Sequence, residues 1–234
     1  MAPFWLVRGL VGAPLRTLVR VDRPGTPHFG ALLAAIVVLY MLIIAFGQSD
    51  VAEPVRVLVL GTALVLAARL AGRRRWIRTA LAASLGAALV SAVAVAAGGT
   101  RLATALTSAA TVLLVCATIA ATAVTVARSR RVDVQAVSGA LATYLLLALL
   151  FSGLHQLIAA ISGGPYLSGV ARVDDASAFL YFSVITLTTV GYGDIVPVSN
   201  AARAVVVAEA LIGQLYLVSV VAAVVGRWTP HGRA

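Results

Sequence analysis

Six apolar runs, at about 29–47, 54–72, 77–97, 102–127, 136–161 and 201–226, set the limits on what this chain can fold into. Each is long enough to cross a bilayer as an α-helix, which takes roughly 20 apolar residues. A seventh run, about 176–188, is too short to cross. As a helix from about Ala176 to Leu187 it would reach about 18 Å, half a bilayer. Asp174, Asp175 and Ser177 stand at its start as N-cap residues, and polar sequence follows its end. Polar irregular backbone persists at membrane depth only where protein or water covers it, so the short run reads as a re-entrant loop. The expected fold class is an all-α membrane protein with six transmembrane helices and one re-entrant helix and loop.

Composition agrees. The chain is 61% hydrophobic and only 11% charged, where an ordinary soluble domain is about a quarter charged. Its net charge of +10 comes from 18 arginines and no lysine. On a soluble protein that excess would point to nucleic acid. Here the arginines cluster between apolar runs, as Arg8, Arg16, Arg20 and Arg23, then Arg73, Arg74, Arg75 and Arg78, then Arg128, Arg130 and Arg131, and finally Arg227 and Arg233. Six crossings put all four clusters on one side, which the positive-inside rule makes cytoplasmic. Asp50, Glu53, Asp174, Asp175 and Asp194 fall on the other, with Arg101, Arg172 and Arg203. Both termini are then cytoplasmic, the re-entrant loop opens from outside, and the partners are cell-membrane lipids and no nucleic acid. Abundant Ala, Val and Arg without Lys is associated with GC-rich bacterial genomes. Residues 1–28 have no charged region ahead of apolar residues, against a cleaved signal peptide. They read as an interfacial segment or a poorly ordered tail. The lone Cys116 lies in an apolar run and reads as a small packing residue.

The polar stretch after the short run is "TLTTVGYGDIVP", residues 186–197. Thr189-Val190-Gly191-Tyr192-Gly193 reproduces the TVGYG signature of selectivity filters. The region 136–226 resembles the pore module of tetrameric potassium channels, with outer helix, pore helix, filter and inner helix in that order. The chemistry accounts for the residue types. A dehydrated potassium ion needs its water oxygens replaced, and backbone carbonyls from four chains can form rings of them. Turning successive carbonyls the same way needs dihedrals alternating in hand, which Gly191 and Gly193 permit. Thr189 adds a hydroxyl ring, and Val190 and Tyr192 point away from the axis. The resemblance implies K+ at the carbonyls of Thr189, Val190, Gly191 and Tyr192, with filter support from Thr188, Asp194, and an aromatic cuff of Tyr181 and Phe182 around Tyr192. Some family members carry a glutamate four residues before the filter threonine, paired with the aspartate after it. Here that position is Ile185, which leaves the Tyr181 hydroxyl as a donor to Asp194.

The last helix holds Gly213 where many family members have a hinge glycine; close helix packing is the other reading. On one face from it, Gln214, Leu217 and Val221 would line a central cavity. Glu209 lies inside the same helix, where a charge is expensive and usually marks function. His155 lies in the outer part of the fifth helix. A contact between the two would tune opening near neutral pH. The alternative is a structural Glu209 bonded to pore-helix backbone or hydroxyls. With His28, His155 and His231 as the only histidines and no acid–His cluster by sequence, no enzyme and no small-molecule substrate is expected. Interrupted helices in matching halves, the mark of a transporter, are also not visible.

The layout then divides into 1–28, a voltage-sensor-like unit at 29–131, a pore unit at 132–228 and a tail at 229–234. Between Arg101 and Arg128 the fourth run, "LATALTSAATVLLVCATIAATAVTVA", carries no charge, and the first three offer no buried acid. Arg56 fits snorkelling better than gating. The resemblance implies a homotetrameric, potassium-selective channel with no cofactor; the rival is a non-conducting sensor or assembly protein on the same fold. A sensor needs charges to move, each worth about 2.3 kcal/mol per 100 mV. Conductance is therefore expected to vary only weakly with voltage. A conductance–voltage curve as steep as several charges per channel would refute this.

Overall fold

The computed structural model describes residues 29–46, 52–70, 74–96, 100–128 and 134–228. The N-terminal segment at 1–28 and the tail at 229–234 lie outside the described residues, as does the side chain of Arg56. The described residues form seven helices, α1 (Phe29–Phe46), α2 (Ala52–Leu70), α3 (Arg74–Ala96), α4 (Thr100–Arg128), α5 (Val134–Ser162), α6 (Ala176–Leu187) and α7 (Asn200–Trp228). Each coincides with one of the seven apolar runs. Arg101–Thr125, Ala136–Ser162 and Asn200–Val220 are long and apolar enough to cross a membrane. Phe29–Ala45, Val59–Arg69 and Ala176–Leu187 are shorter apolar stretches.

The sequence gives no sign of one element, a pair of two-residue strands, β1 (Leu167–Ser168) and β2 (Val196–Pro197). They run antiparallel, with Leu167 opposite Pro197 and Ser168 opposite Val196. Two residues carry no periodicity, so the pairing depends on tertiary contact alone. Gly169, at φ 87°, brings its backbone against Asp194, and a side chain there would meet the Asp194 carbonyl. At the start of α6, Asp175 is the N-cap, its carboxylate accepting from the amides of Ser177 and Ala178 at 3.1 Å. Nearby, Arg172 holds Asp174 through two nitrogens, at 3.0 and 2.6 Å. That pairing lowers the Asp174 carboxyl below the usual range. At this exposure the pair adds little stability.

Helices α1 to α4 pack on elements of their own chain. Helix α4 lies along α5, and α1 touches both α5 and α6. The core runs through Leu32, Ile36 and Leu39 of α1, Leu60 and Leu64 of α2, Leu114 of α4 and Leu146 of α5. Where a sensing helix would carry arginines, α4 carries hydroxyls. Thr111, Thr118 and Thr122 are buried and return their hydroxyls to carbonyls four residues back, at 2.7 to 2.9 Å. Such bonds satisfy polar groups within the helix without needing a partner helix. The Ser108 hydroxyl donates across to Gln156 Oε1 at 3.0 Å, and Gln156 Nε2 donates to the Val173 backbone carbonyl at 3.2 Å. Cys116 faces outward on α4 and is exposed, so it does not pack inside the chain as its apolar neighbourhood suggests.

The α4–α5 seam is close at Gly153, where an added methyl would sit 3.1 Å from Val112 Cγ2. Gly153→Leu is expected to force the helices apart and cost about 1–3 kcal/mol. A thermal unfolding midpoint in detergent equal to wild type would contradict this.

Candidate ion-conduction site

Helix α6 ends at Leu187, with Thr188 as its C-cap, and the chain turns at once into the glycine-containing stretch. Three successive amides fold back on the helix end: Thr189 N donates to Thr186 O at 3.0 Å, Val190 N to Ile185 O at 2.8 Å, and Gly191 N to Ile185 O at 3.1 Å. The Thr188 hydroxyl donates to Val184 O and the Thr189 hydroxyl to Thr188 O, both at 2.7 Å. Donors of this stretch therefore point toward the helix. Among the described residues, no hydrogen bond is accepted by the carbonyls of Thr189 to Gly193. Backbone carbonyls left without a partner cost free energy unless water or an ion takes them.

The backbone alternates in hand. Thr189, Gly191 and Gly193 have φ of 61°, 49° and 81°, while Val190 and Tyr192 between them stay negative. The two glycines occupy this region freely. Thr189 does not: a β-branched residue at positive φ is a true outlier, held at a cost of order 1–3 kcal/mol by what surrounds it. The amide ties to Ile185 and Thr186 are what hold it. The sequence indicates the glycines and gives no signal for the strained threonine.

Tyr181 donates to Asp194 Oδ2 at 2.8 Å, the bond left available by Ile185. Its ring stacks on Tyr192, with centroids 6.5 Å apart and planes 3° from parallel. Phe182 is placed differently from the expected cuff. Neighbours on a helix point about 100° apart, and Phe182 turns inward, buried, with its ring edge-on to His155 at 5.2 Å. Val190 and Tyr192 are 51% and 73% exposed, so within one chain nothing encloses the stretch.

Helix α7 is continuous through Gly213. A methyl there would sit 2.6 Å from Leu187 Cδ1 and 3.2 Å from the Leu187 carbonyl oxygen. Close packing on the end of α6 is thus sufficient reason for glycine. Two tyrosines, absent from the sequence-based site, act at the same point. Tyr144 of α5 donates to Leu187 O at 3.1 Å, and Tyr216 of α7 stacks on it at 6.0 Å while donating to Ala140 O at 2.8 Å. Their signal in sequence is weak, a phenol inside an apolar run with no stated partner. Gln214 is half-buried and Leu217 is 42% exposed on α7, whereas the side chain of Val221 lies outside the described residues. His155 and Glu209 meet, with Nε2 of the ring 3.0 Å from Glu209 Oε2, and both are fully buried. Among the described residues, no cluster of His, Cys, Asp and Glu could hold a metal ion.

Gly213→Ala is expected to push α7 off the end of α6 and cost about 1–3 kcal/mol. A variant with wild-type thermal stability in detergent would show that Leu187 moves aside instead.

Comparison with curated proteins and with solved structures gave no match. Residues 140–229 match the family model described as "Ion channel". The matched part begins in α5, contains α6 and the 188–194 stretch, and ends just past α7, so it takes in all the geometry above. It covers roughly two-fifths of the chain and includes Tyr144 and Gly213, which meet Leu187 at the end of α6. The match and the apolar helices together indicate an ion channel in a membrane.

Proposed function

We propose that this chain is one subunit of a potassium-selective channel that conducts passively as a homotetramer, with little voltage dependence. The observation that carries the reading is the split between donors and acceptors at 189–193. The amides are tied to the end of α6, and the carbonyls are left free on a backbone that alternates in hand. Four such strands around one axis would offer stacked rings of oxygens to a dehydrated cation. The α6 helix would add the partial negative charge of its C-terminal end beneath them.

Assembly of four copies accounts for what one chain leaves uncovered. Val207, Leu211, Leu215 and Val218 of α7 are each more than half exposed, and Tyr192 more so. An apolar face of that extent is usual for an interface or a lipid contact. In the tetramer α7 would be the inner helix, with Gln214, Leu217 and Val221 toward the cavity and Gly213 at the level of the pore-helix end. Residues 29–131 would form a voltage-sensor-like unit with four of the chain's six crossings, and both termini would be cytoplasmic. The uncharged, hydroxyl-bearing core of α4 supports weak voltage dependence, since it holds no charge to move.

The test is ion flux through the purified protein in liposomes, potassium against sodium, for wild type and Gly191→Ala. Potassium flux well above sodium flux is expected, falling to background in the variant because alanine resists the positive φ. An intact tetramer that passes no potassium across a range of pH and voltage would favour a non-conducting sensor or assembly protein on this fold.

A further inference from the structure

A line of buried polar groups runs from the inner helix to the outer end of the candidate filter. Glu209 Oε2 on α7 lies 3.0 Å from His155 Nε2 on α5, and His155 Nδ1 lies 2.8 Å from the Tyr166 hydroxyl. None of the three is more than 3% exposed. Tyr166 then continues the line through its backbone. Its carbonyl accepts from Val198 N at 3.1 Å, and its neighbour Leu167 pairs with Pro197 in β2. Pro197 and Val198 lie three and four residues past Asp194, the end of the stretch. The sequence points to a His155–Glu209 contact that would tune opening and gives Tyr166 no task at all; ion conduction itself uses none of the three side chains.

The groups that face this line are few. From α6, Phe182 packs edge-on to the imidazole, and Ser183 lies beside the carboxylate. The Ser183 hydroxyl interacts with the Glu209 carboxylate from α6, although it and Glu209 Oε1, both buried, fall short of full hydrogen-bond geometry. From α1, Tyr40 is near enough to feel the charge on Glu209, and its hydroxyl is committed to Leu145 O at 2.7 Å. Among the described residues no arginine and no second acid pairs with Glu209.

Proton counting gives the pair two states. With one ring proton, on Nε2, the imidazole donates to a charged carboxylate and accepts the Tyr166 proton, which leaves a net negative charge in apolar surroundings. A second proton, on the ring or the carboxylate, neutralises the pair. On the ring it also turns Nδ1 into a donor, so the Tyr166 hydroxyl must give up its bond and act as acceptor. A buried charge without a partner of opposite sign is strongly unfavourable, which favours the loaded state in the packed arrangement.

We propose that Tyr166, His155 and Glu209 form a one-proton brace that positions the outer mouth of the conduction path, holding α7 and the β2 segment through Val198 together when loaded and slackening when the proton leaves. As regulation of the same site, it rests on the channel reading. The three are positioning residues and touch no permeant ion.

The test combines two measurements on the full-length protein. Potassium flux in liposomes is followed from pH 5 to pH 9 for wild type, Glu209→Gln, Tyr166→Phe and His155→Gln. Infrared pH-difference spectra are recorded on the same samples. Wild-type flux is expected to fall by about tenfold on a one-proton curve within this pH span, as the pair loses its proton. Glu209→Gln, which keeps shape and removes the charge, is expected to conduct at the acid-side level at every pH. Tyr166→Phe is expected to keep the curve with a shifted midpoint. An infrared band that titrates in wild type and is missing from Glu209→Gln would mark the shared proton, even where His155→Gln fails to fold. The same pH profile in wild type and Glu209→Gln would overturn the brace. A chain that shows the titrating band and passes no potassium at any pH would sink the channel reading while upholding the proton-holding pair.

Discussion

The structure depends on how a few backbone groups at the end of α6 are satisfied. A helix ends with carbonyls that have no partner inside it. Here those of Val184, Ile185 and Thr186 are taken by amides of the next four residues. That exchange turns the donors of the following stretch toward protein and leaves its own carbonyls unpaired. It also holds Thr189 at a φ that a β-branched residue avoids. The candidate filter is thus a consequence of a helix terminus folding its successor back on itself.

That terminus is gripped from three sides. Tyr144 caps the Leu187 carbonyl from α5, Gly213 lets α7 approach the same residue, and Tyr216 stacks on Tyr144 to link the two longer helices. At the outer end, Tyr181 and Asp194 bind each other across the stretch, and the β1–β2 pairing clips the returning chain. Both ends of the stretch are fixed to helices that are themselves buried against α1 and α4. Small displacements of α7 would therefore reach it directly, because packed helices shift as units rather than deform smoothly.

The four leading helices show the same economy of charge. Buried threonines in α4 are satisfied by its own backbone, and a polar link to α5, from Ser108 to Gln156, continues to the loop before α6. This seam gives α4 a polar connection to the loop that leads into α6. It is consistent with a unit that has the helical layout of a sensor and serves packing or lipid contact.

By itself the sequence determined the helices, because continuous apolar runs of a given length permit little else in a bilayer, and α6 was legible through its short length and acidic cap. The TVGYG stretch was legible because glycine at alternate positions has one evident physical use. The Tyr181–Asp194 bond was a candidate through the resemblance, and the meeting of His155 with Glu209 through their similar depth in two apolar helices. What only tertiary structure decided were contacts between residues distant in the chain that carry no local pattern. These include Phe182 turning to His155 instead of Tyr192, Cys116 facing outward, Tyr144 and Tyr216 gripping Leu187, and Tyr166 joining the buried pair. The strain at Thr189 belongs with them. Composition and periodicity report which residues avoid water; they do not report which carbonyl a phenol will find, since that depends on the angle at which two helices cross.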